Sequence, residues 1–224
     1  MNSIKVLSVN YNTPELIFQM VDSFRKFYDN EILIIDGSNK ENYEQTKNLL
    51  SNVENITIHH FGYNLHHGPS MAYGFTVLDC NKILVVDSDI VILKGGILEI
   101  LERELKDESY GIGDVQRIDE RGYNIGNRKG AIGLRESDLD VKGYAYLHPA
   151  FMLINKNIAL NWPMPIKHGA PMINTMKAIT KAGKETILQH NELVNDGFRN
   201  NNAEYLFHPW CGTVNKTGGY HLDD

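Results

Sequence analysis

Val85-Val86-Asp87-Ser88-Asp89-Ile90-Val91 sets two carboxylates two residues apart where an apolar run ends. Side chains at i and i+2 of a strand point the same way, about 6.6 Å apart along the backbone. At that spacing Asp87 and Asp89 can share one cation, and carboxylate oxygens suit Mg²⁺ or Mn²⁺. A nucleotide diphosphate can complete the coordination sphere while the ion offsets its charge. Spacing alone carries little weight, because Asp138-Leu139-Asp140 repeats it in a polar stretch and reads as a solvated segment. The first pair differs in being delivered by an apolar strand.

The elements that must position this pair alternate strand and helix over the first hundred residues. Residues 4–9 form an apolar run ending at Asn10-Tyr11-Asn12. Thr13-Pro14-Glu15 is a helix start, with an N-cap, a proline at the first helical position and an acid in the first turn. Leu16, Ile17, Met20, Val21, Phe24, Phe27 and Tyr28 then recur at helical spacing and read as core. Residues 32–35 are a second buried strand, closed by Asp36-Gly37-Ser38. A short helix with Tyr43, Leu49 and Leu50 follows, then a third strand at 56–58 and a loop containing His66-His67-Gly68-Pro69. Residues 70–78 read as helix, and 83–86 as the strand that carries the Asp pair. Such alternation implies right-handed crossovers and a parallel sheet, whose ligands sit beyond the carboxyl ends of the strands where the strand order reverses. Asn12, Asp36 and Asp87 each fall at or just past such an end.

The second half is less regular. Residues 97–105 read as helix after Gly95-Gly96, and 110–116 as strand. Residues 117–143 are rich in glycine and charge without periodicity, which predicts a mobile lid or acceptor-binding loop. Residues 144–147 and 151–154 look like two strands, 171–182 like a helix and 205–208 like a last strand. A length of 224 residues suits one domain with a sizeable core. The net charge of −6 argues against a broad nucleic-acid surface. No apolar run approaches the ~20 residues of a membrane span, so no transmembrane segment is expected. Met1 leads into a strand-like segment without a signal-peptide pattern, and a cytoplasmic location is expected. Cys80 and Cys211 lack Cys-x-x-Cys spacing and suggest neither a disulfide framework nor a zinc site. The pairs His59-His60 and His66-His67 consist of neighbours that diverge in extended chain, which disfavours a two-His metal site from either.

Three segments together resemble a known family. Val6-Leu7-Ser8-Val9-Asn10-Tyr11-Asn12, Ile34-Ile35-Asp36-Gly37-Ser38 and Leu84-Val85-Val86-Asp87-Ser88-Asp89 are similar in order and spacing to the nucleotide-sugar-binding half of family 2 glycosyltransferases of the GT-A fold. The resemblance implies an α/β, three-layer α/β/α sandwich around a mostly parallel sheet. It implies one catalytic domain over residues 1–224, with a nucleotide-sugar-binding half at 1–95 and an acceptor-binding half at 96–224. It further implies that Tyr11, Asn12, Asp36 and Ser88 hold the nucleotide-sugar donor and that Asp87 and Asp89 hold Mn²⁺ or Mg²⁺. Phe207-His208-Pro209-Trp210-Cys211-Gly212-Thr213 resembles the segment in which a late His completes the metal shell. That assigns His208, with His221 as the other choice. The activity implied is metal-dependent transfer of a single sugar, with a UDP sugar as the expected donor, to a hydroxyl on a glycan or glycoconjugate.

Two departures bear on mechanism. The Gln-x-x-Arg-Trp signature of processive synthases is absent, so non-processive transfer is expected. The Glu-Asp pair that supplies the base in many inverting relatives is also missing, since the corresponding stretch reads Ala170-Pro171-Met172-Ile173. Inversion, expected here over retention, needs a carboxylate or His within hydrogen-bond reach of the acceptor hydroxyl. Asp114, in the strand-like Ile112-Gly113-Asp114-Val115, is the first candidate and His148 the second, while a plain strand-end acid stays open for Asp114. One other enzymatic reading is a sugar-phosphate nucleotidylyltransferase, which should open with a glycine-rich phosphate loop where this chain has Tyr11-Asn12-Thr13-Pro14. A dinucleotide dehydrogenase would want Gly-x-Gly-x-x-Gly there. The reading from another class is a catalytically inactive nucleotide-sugar-binding module, against which the intact Asp pair weighs.

Overall fold

Strands that are apolar at every position must be covered on both faces, and this requirement organises the chain. The computed structural model describes residues 4–122, 125, 143–166, 169–194 and 204–209. The elements are β1 (Ile4–Asn10), α1 (Pro14–Arg25), β2 (Ile32–Asp36), α2 (Lys40–Leu50), β3 (Ile56–His60), α3 (His67–Val77), β4 (Lys82–Val86), β5 (Val91–Ile92) and α4 (Ile97–Glu104). They continue with β6 (Gly111–Ile118), β7 (Tyr144–Asn155), α5 (Lys156–Ala159), α6 (Ile173–Lys181), β8 (Leu188–His190) and β9 (Leu206–Phe207). A 7-stranded sheet has the order β3-β2-β1-β4-β7-β6-β8, while β5 and β9 form a separate ladder. The first four strands run parallel, β7 inserts antiparallel between β4 and β6, and β8 runs parallel to β6.

The two faces separate by strand alternation. Ile32, Ile34, Leu84 and Val86 pack with α1, α4 and Leu50 of α2 in one core. Leu33, Ile35, Ile83 and Val85 pack with α3 and α6 in the other. The result is the three-layer α/β domain expected, and its strand order reverses at β1, with β2 on one side and β4 on the other. Among the described residues no helix is long and apolar enough to cross a membrane.

Several elements depart from the sequence expectation for identifiable reasons. Helix α3 begins at His67 instead of residue 70, because Pro69 falls in the first turn, where its missing N–H is not needed. The hydroxyl of Thr13, read as an N-cap, makes no capping bond and instead donates to Oδ1 of Asn10 at 2.8 Å. The two strands expected at 144–147 and 151–154 are one strand, β7, interrupted by a bulge. Gly113 pairs with Met152 but Val115 pairs with Leu147, so the stretch from His148 to Phe151 stands opposite Asp114 alone. Pro149, which has no N–H for a ladder, lies inside that bulge. Strands β5 and β8 and helix α5 are too short for periodicity to reveal. Of the loop expected at 117–143, Arg117 and Ile118 complete β6, while residues 123–124 and 126–142, together with Cys211, Gly212, Thr213 and His221, lie outside the described residues.

Gly37 shows how tightly the rim is built. A Cβ there would stand 2.9 Å from the backbone oxygen of Tyr63 and 3.3 Å from the backbone of Asn64 and Leu65. Two main chains meet, and neither can yield as a side chain would. Gly37→Ala is therefore expected to cost about 1–3 kcal/mol, the range for overpacking. A denaturant midpoint unchanged from wild type would show that this approach is loose.

Candidate functional site

The acidic pair lies just past the carboxyl end of β4. Asp87 extends the β4–β7 pairing by donating its N–H to the carbonyl of Ala150 at 2.8 Å, and the chain then turns, with Ile90 N–H bonding back to the Asp87 carbonyl at 3.2 Å. The Asp pair thus sits on a turn, not along a strand as its spacing suggested. That turn brings one ligand atom each from Asp87, Asp89 and His208 within 4.8 Å of one another. Nε2 of His208 lies 3.1 Å from Oδ1 of Asp89, and both side chains are almost fully buried, at 4% and 8% exposure. Two carboxylates and an imidazole make a donor set that fits Mg²⁺ or Mn²⁺. Ser88, between the two acids, is buried.

The site is electrostatically tense without a cation. Burial pushes the Asp87 carboxyl up from its ordinary value, and the charge of Asp89 adds to this, while His67 and His208 oppose it. His67, the first residue of α3, places Nε2 3.4 Å from Oδ1 of Asp87. The sequence offered no reason to connect these two residues.

A second cluster ties the ends of β1, β2 and β3. Asp36 is wholly buried. Its Oδ2 accepts from Asn10 Nδ2 at 2.7 Å, and its Oδ1 accepts from the Ser38 N–H at 2.8 Å, with His60 Nδ1 at 3.3 Å. The His60 ring stacks on Tyr43, with centroids 3.8 Å apart and planes 8° from parallel. Asn12, at φ +54°, donates its N–H to Ser38 Oγ at 2.8 Å, and its Oδ1 accepts from the Asn39 N–H at 3.0 Å. Tyr11 is half-buried beside it. Asn10 and His60 were not singled out from the sequence. The ladder pairing of Asp36 with both Asn10 and His60 is the signal that locates them.

A small hollow beside His208, with room for about one water molecule, is lined by Ile90, Asp114, His148, Ala150, Phe151, Val194 and His208. Both candidate bases therefore share a cavity with a metal-ligand candidate. The bulge in β7 produces this, since bulges re-aim side chains and release local pairing. Gln116 Nε2 donates to Oδ2 of Asp114 at 2.7 Å, and His148 Nδ1 accepts from the Ala150 N–H at 3.3 Å.

A three-layer sandwich with an acidic pair at the end of its fourth strand is the architecture of GT-A glycosyltransferases. Residues 6–179 match the model of glycosyl transferase family 2, and the chain belongs to that family. No curated protein matches it at a significant level. Among solved structures it is similar to the mannosyltransferase PcManGT from Pyrobaculum calidifontis in complex with GDP-Man and Mn²⁺, at 11% identity and a TM-score of 0.58. It is also similar to S. aureus TarS, at 15% identity and a TM-score of 0.56. The alignments cover 87% and 92% of this chain, which spans 58% and 36% of those longer chains.

The raised Asp87 carboxyl has a consequence for stability. A fold that favours the protonated acid loses stability as pH rises above the ordinary value of 3.8 and regains it on acidification. In chelator, Asp87→Asn is thus expected to melt at a higher temperature than wild type near neutral pH, with the difference shrinking as pH falls toward the ordinary carboxyl range. Thermal melts across that range check this, and identical melting temperatures at every pH would contradict it.

Proposed function

We propose that the protein transfers a single sugar from a nucleotide-sugar donor, with UDP sugars the first to test, to a hydroxyl on a glycan or glycoconjugate, in a reaction that needs Mn²⁺ or Mg²⁺. The observation that carries this reading is the convergence of Asp87, Asp89 and His208, with Asp114 and His148 lining a small hollow at His208. Family membership supports the reaction class. In this proposal residues 1–95 bind the donor and 96–224 the acceptor, within one catalytic domain.

A divalent ion held by Asp87, Asp89 and His208 would offset the charge that develops on the departing diphosphate. Tyr11, Asn12, Asp36 and Ser88 would hold the nucleoside end. Asp36 already satisfies three donors, and a carboxylate offers about four acceptor positions, so one remains for a base or ribose hydroxyl once the Tyr11-Asn12 turn or the His60 ring gives way. Asp114, or His148 in its place, would take the proton of the acceptor hydroxyl as its oxygen bonds to the sugar carbon and the bond to the diphosphate breaks. That step inverts the configuration. The reading is non-processive and, with the expected location, cytoplasmic.

A panel of nucleotide sugars incubated with Mn²⁺, and read by donor hydrolysis or transfer to simple glycosides, tests the proposal directly. Two unit charges about 4 Å apart interact by roughly 4 kcal/mol at an effective dielectric near 20, so loss of one ligand should be severe. Asp89→Ala is expected to abolish turnover in a folded protein. Equal UDP affinity with and without Mn²⁺ would refute metal-dependent donor binding.

The two candidate bases separate kinetically. Removing a general base costs roughly 10²–10⁴-fold in rate. Asp114→Asn is expected to lower kcat by that order with the donor KM nearly unchanged, and His148→Gln to have the smaller effect. The reverse ranking would transfer the role to His148.

A further inference from the structure

Asp87 and Asp89 are not held alike. Asp89 is almost fully buried with His208 against it, whereas Asp87 stands at the rim with 23% of its side chain exposed. The Asp87 main chain is fixed by its bond to Ala150 and by the Ile90 turn, so its remaining freedom is rotation of the carboxylate. Among the described residues, the side chain at ion-pair distance from that carboxylate is His67, through Nε2 at 3.4 Å from Oδ1. His67 itself falls outside the group whose ligand atoms lie within 4.8 Å of one another.

The segment before His67 is built to aim it. His66 has φ +64° and ψ 161°, a region that only glycine occupies easily and that costs on the order of 1–3 kcal/mol for other residues. Its N–H donates to Oδ1 of Asn64 at 2.9 Å, and the same loop presses on Gly37 through the backbone of Tyr63, Asn64 and Leu65. Behind it, Met71 and Phe75 anchor α3 in the core. The first side chain of this helix therefore has a direction set from both ends.

We infer that His67 is a positioning residue: its imidazole holds the Asp87 carboxylate in the orientation that presents the remaining oxygen to an ion shared with Asp89 and His208. The role rests on the metal-dependent reading above. Groups that orient a ligand in this way typically govern metal affinity by 10–100-fold when removed.

Calorimetric titration of the intact chain with Mn²⁺ tests this, using wild type, His67→Ala, His67→Gln and Asp87→Ala, alongside thermal melts in chelator. His67→Ala is expected to bind Mn²⁺ at least tenfold more weakly while still melting as a cooperatively folded protein in chelator. His67→Gln, which keeps an N–H at similar reach, is expected to stay within about threefold of wild type. Wild-type affinity in His67→Ala, with loss in Asp87→Ala, overturns the positioning role alone. A Gln variant as weak as the Ala variant overturns it in favour of direct ligation by the imidazole. Wild-type affinity in Asp87→Ala overturns the metal-site reading itself.

Discussion

Two carboxylates crowded into a partly enclosed space repel each other, and the rest of this molecule is arranged to keep Asp87 and Asp89 together regardless. The backbone turn after β4 fixes them covalently close. His208 sits against one and His67 against the other, so each acid has an imidazole neighbour. The cost is sustained by the cores on the two faces of the sheet, which hold β4 at its centre and leave its end no room to relax. Sites that are uncomfortable alone and eased by a ligand belong to the least stable parts of a fold, and binding repays what folding gave up.

The rim to the other side of β1 solves a different problem. Asn10, Asp36, Ser38 and His60 bury several polar groups, and such groups are tolerable only when partnered. Their mutual bonds join the ends of adjacent parallel strands. The carboxylate of Asp36 is thus first a structural acceptor, and any role toward a nucleoside is added to that one.

What could be read from the sequence follows from which signals are local. Strands β2 and β4 are apolar except for Asp36 and Lys82 at their ends, and β1 is mostly so, because both faces are covered, and that pattern needs no partner to be recognised. The Asp pair and the fold class came with it. The geometry of the pair did not, because a turn and a strand end look alike when the next residues are Ser88 and Ile90. His60 and His67 each belong to a doublet of histidines that spacing alone disfavoured as metal sites. One member of each reaches an acid through ladder register or a helix start, neither of which the composition of the doublet encodes. The β7 bulge was visible only as a gap between two expected strands, although Pro149 marked the spot where a ladder would fail.

His208 occupies a peculiar mechanical position. It follows β9 directly, and β9 is held by a ladder of only two pairs, Val91 with Phe207 and Ile92 with Leu206, with Ile92 also bonded through its N–H to Ser23 of α1 at 3.0 Å. Seating of this short strand and assembly of the Asp87, Asp89 and His208 cluster are therefore one thermodynamic event seen from two sides. Reciprocity requires that whatever factor an ion adds to the docking of β9, a tighter docking of β9 adds to the affinity for the ion. In the proposed metal-binding reading, hydrophobic contact at Leu206 in the core becomes a control on metal affinity that involves no change in the ligands.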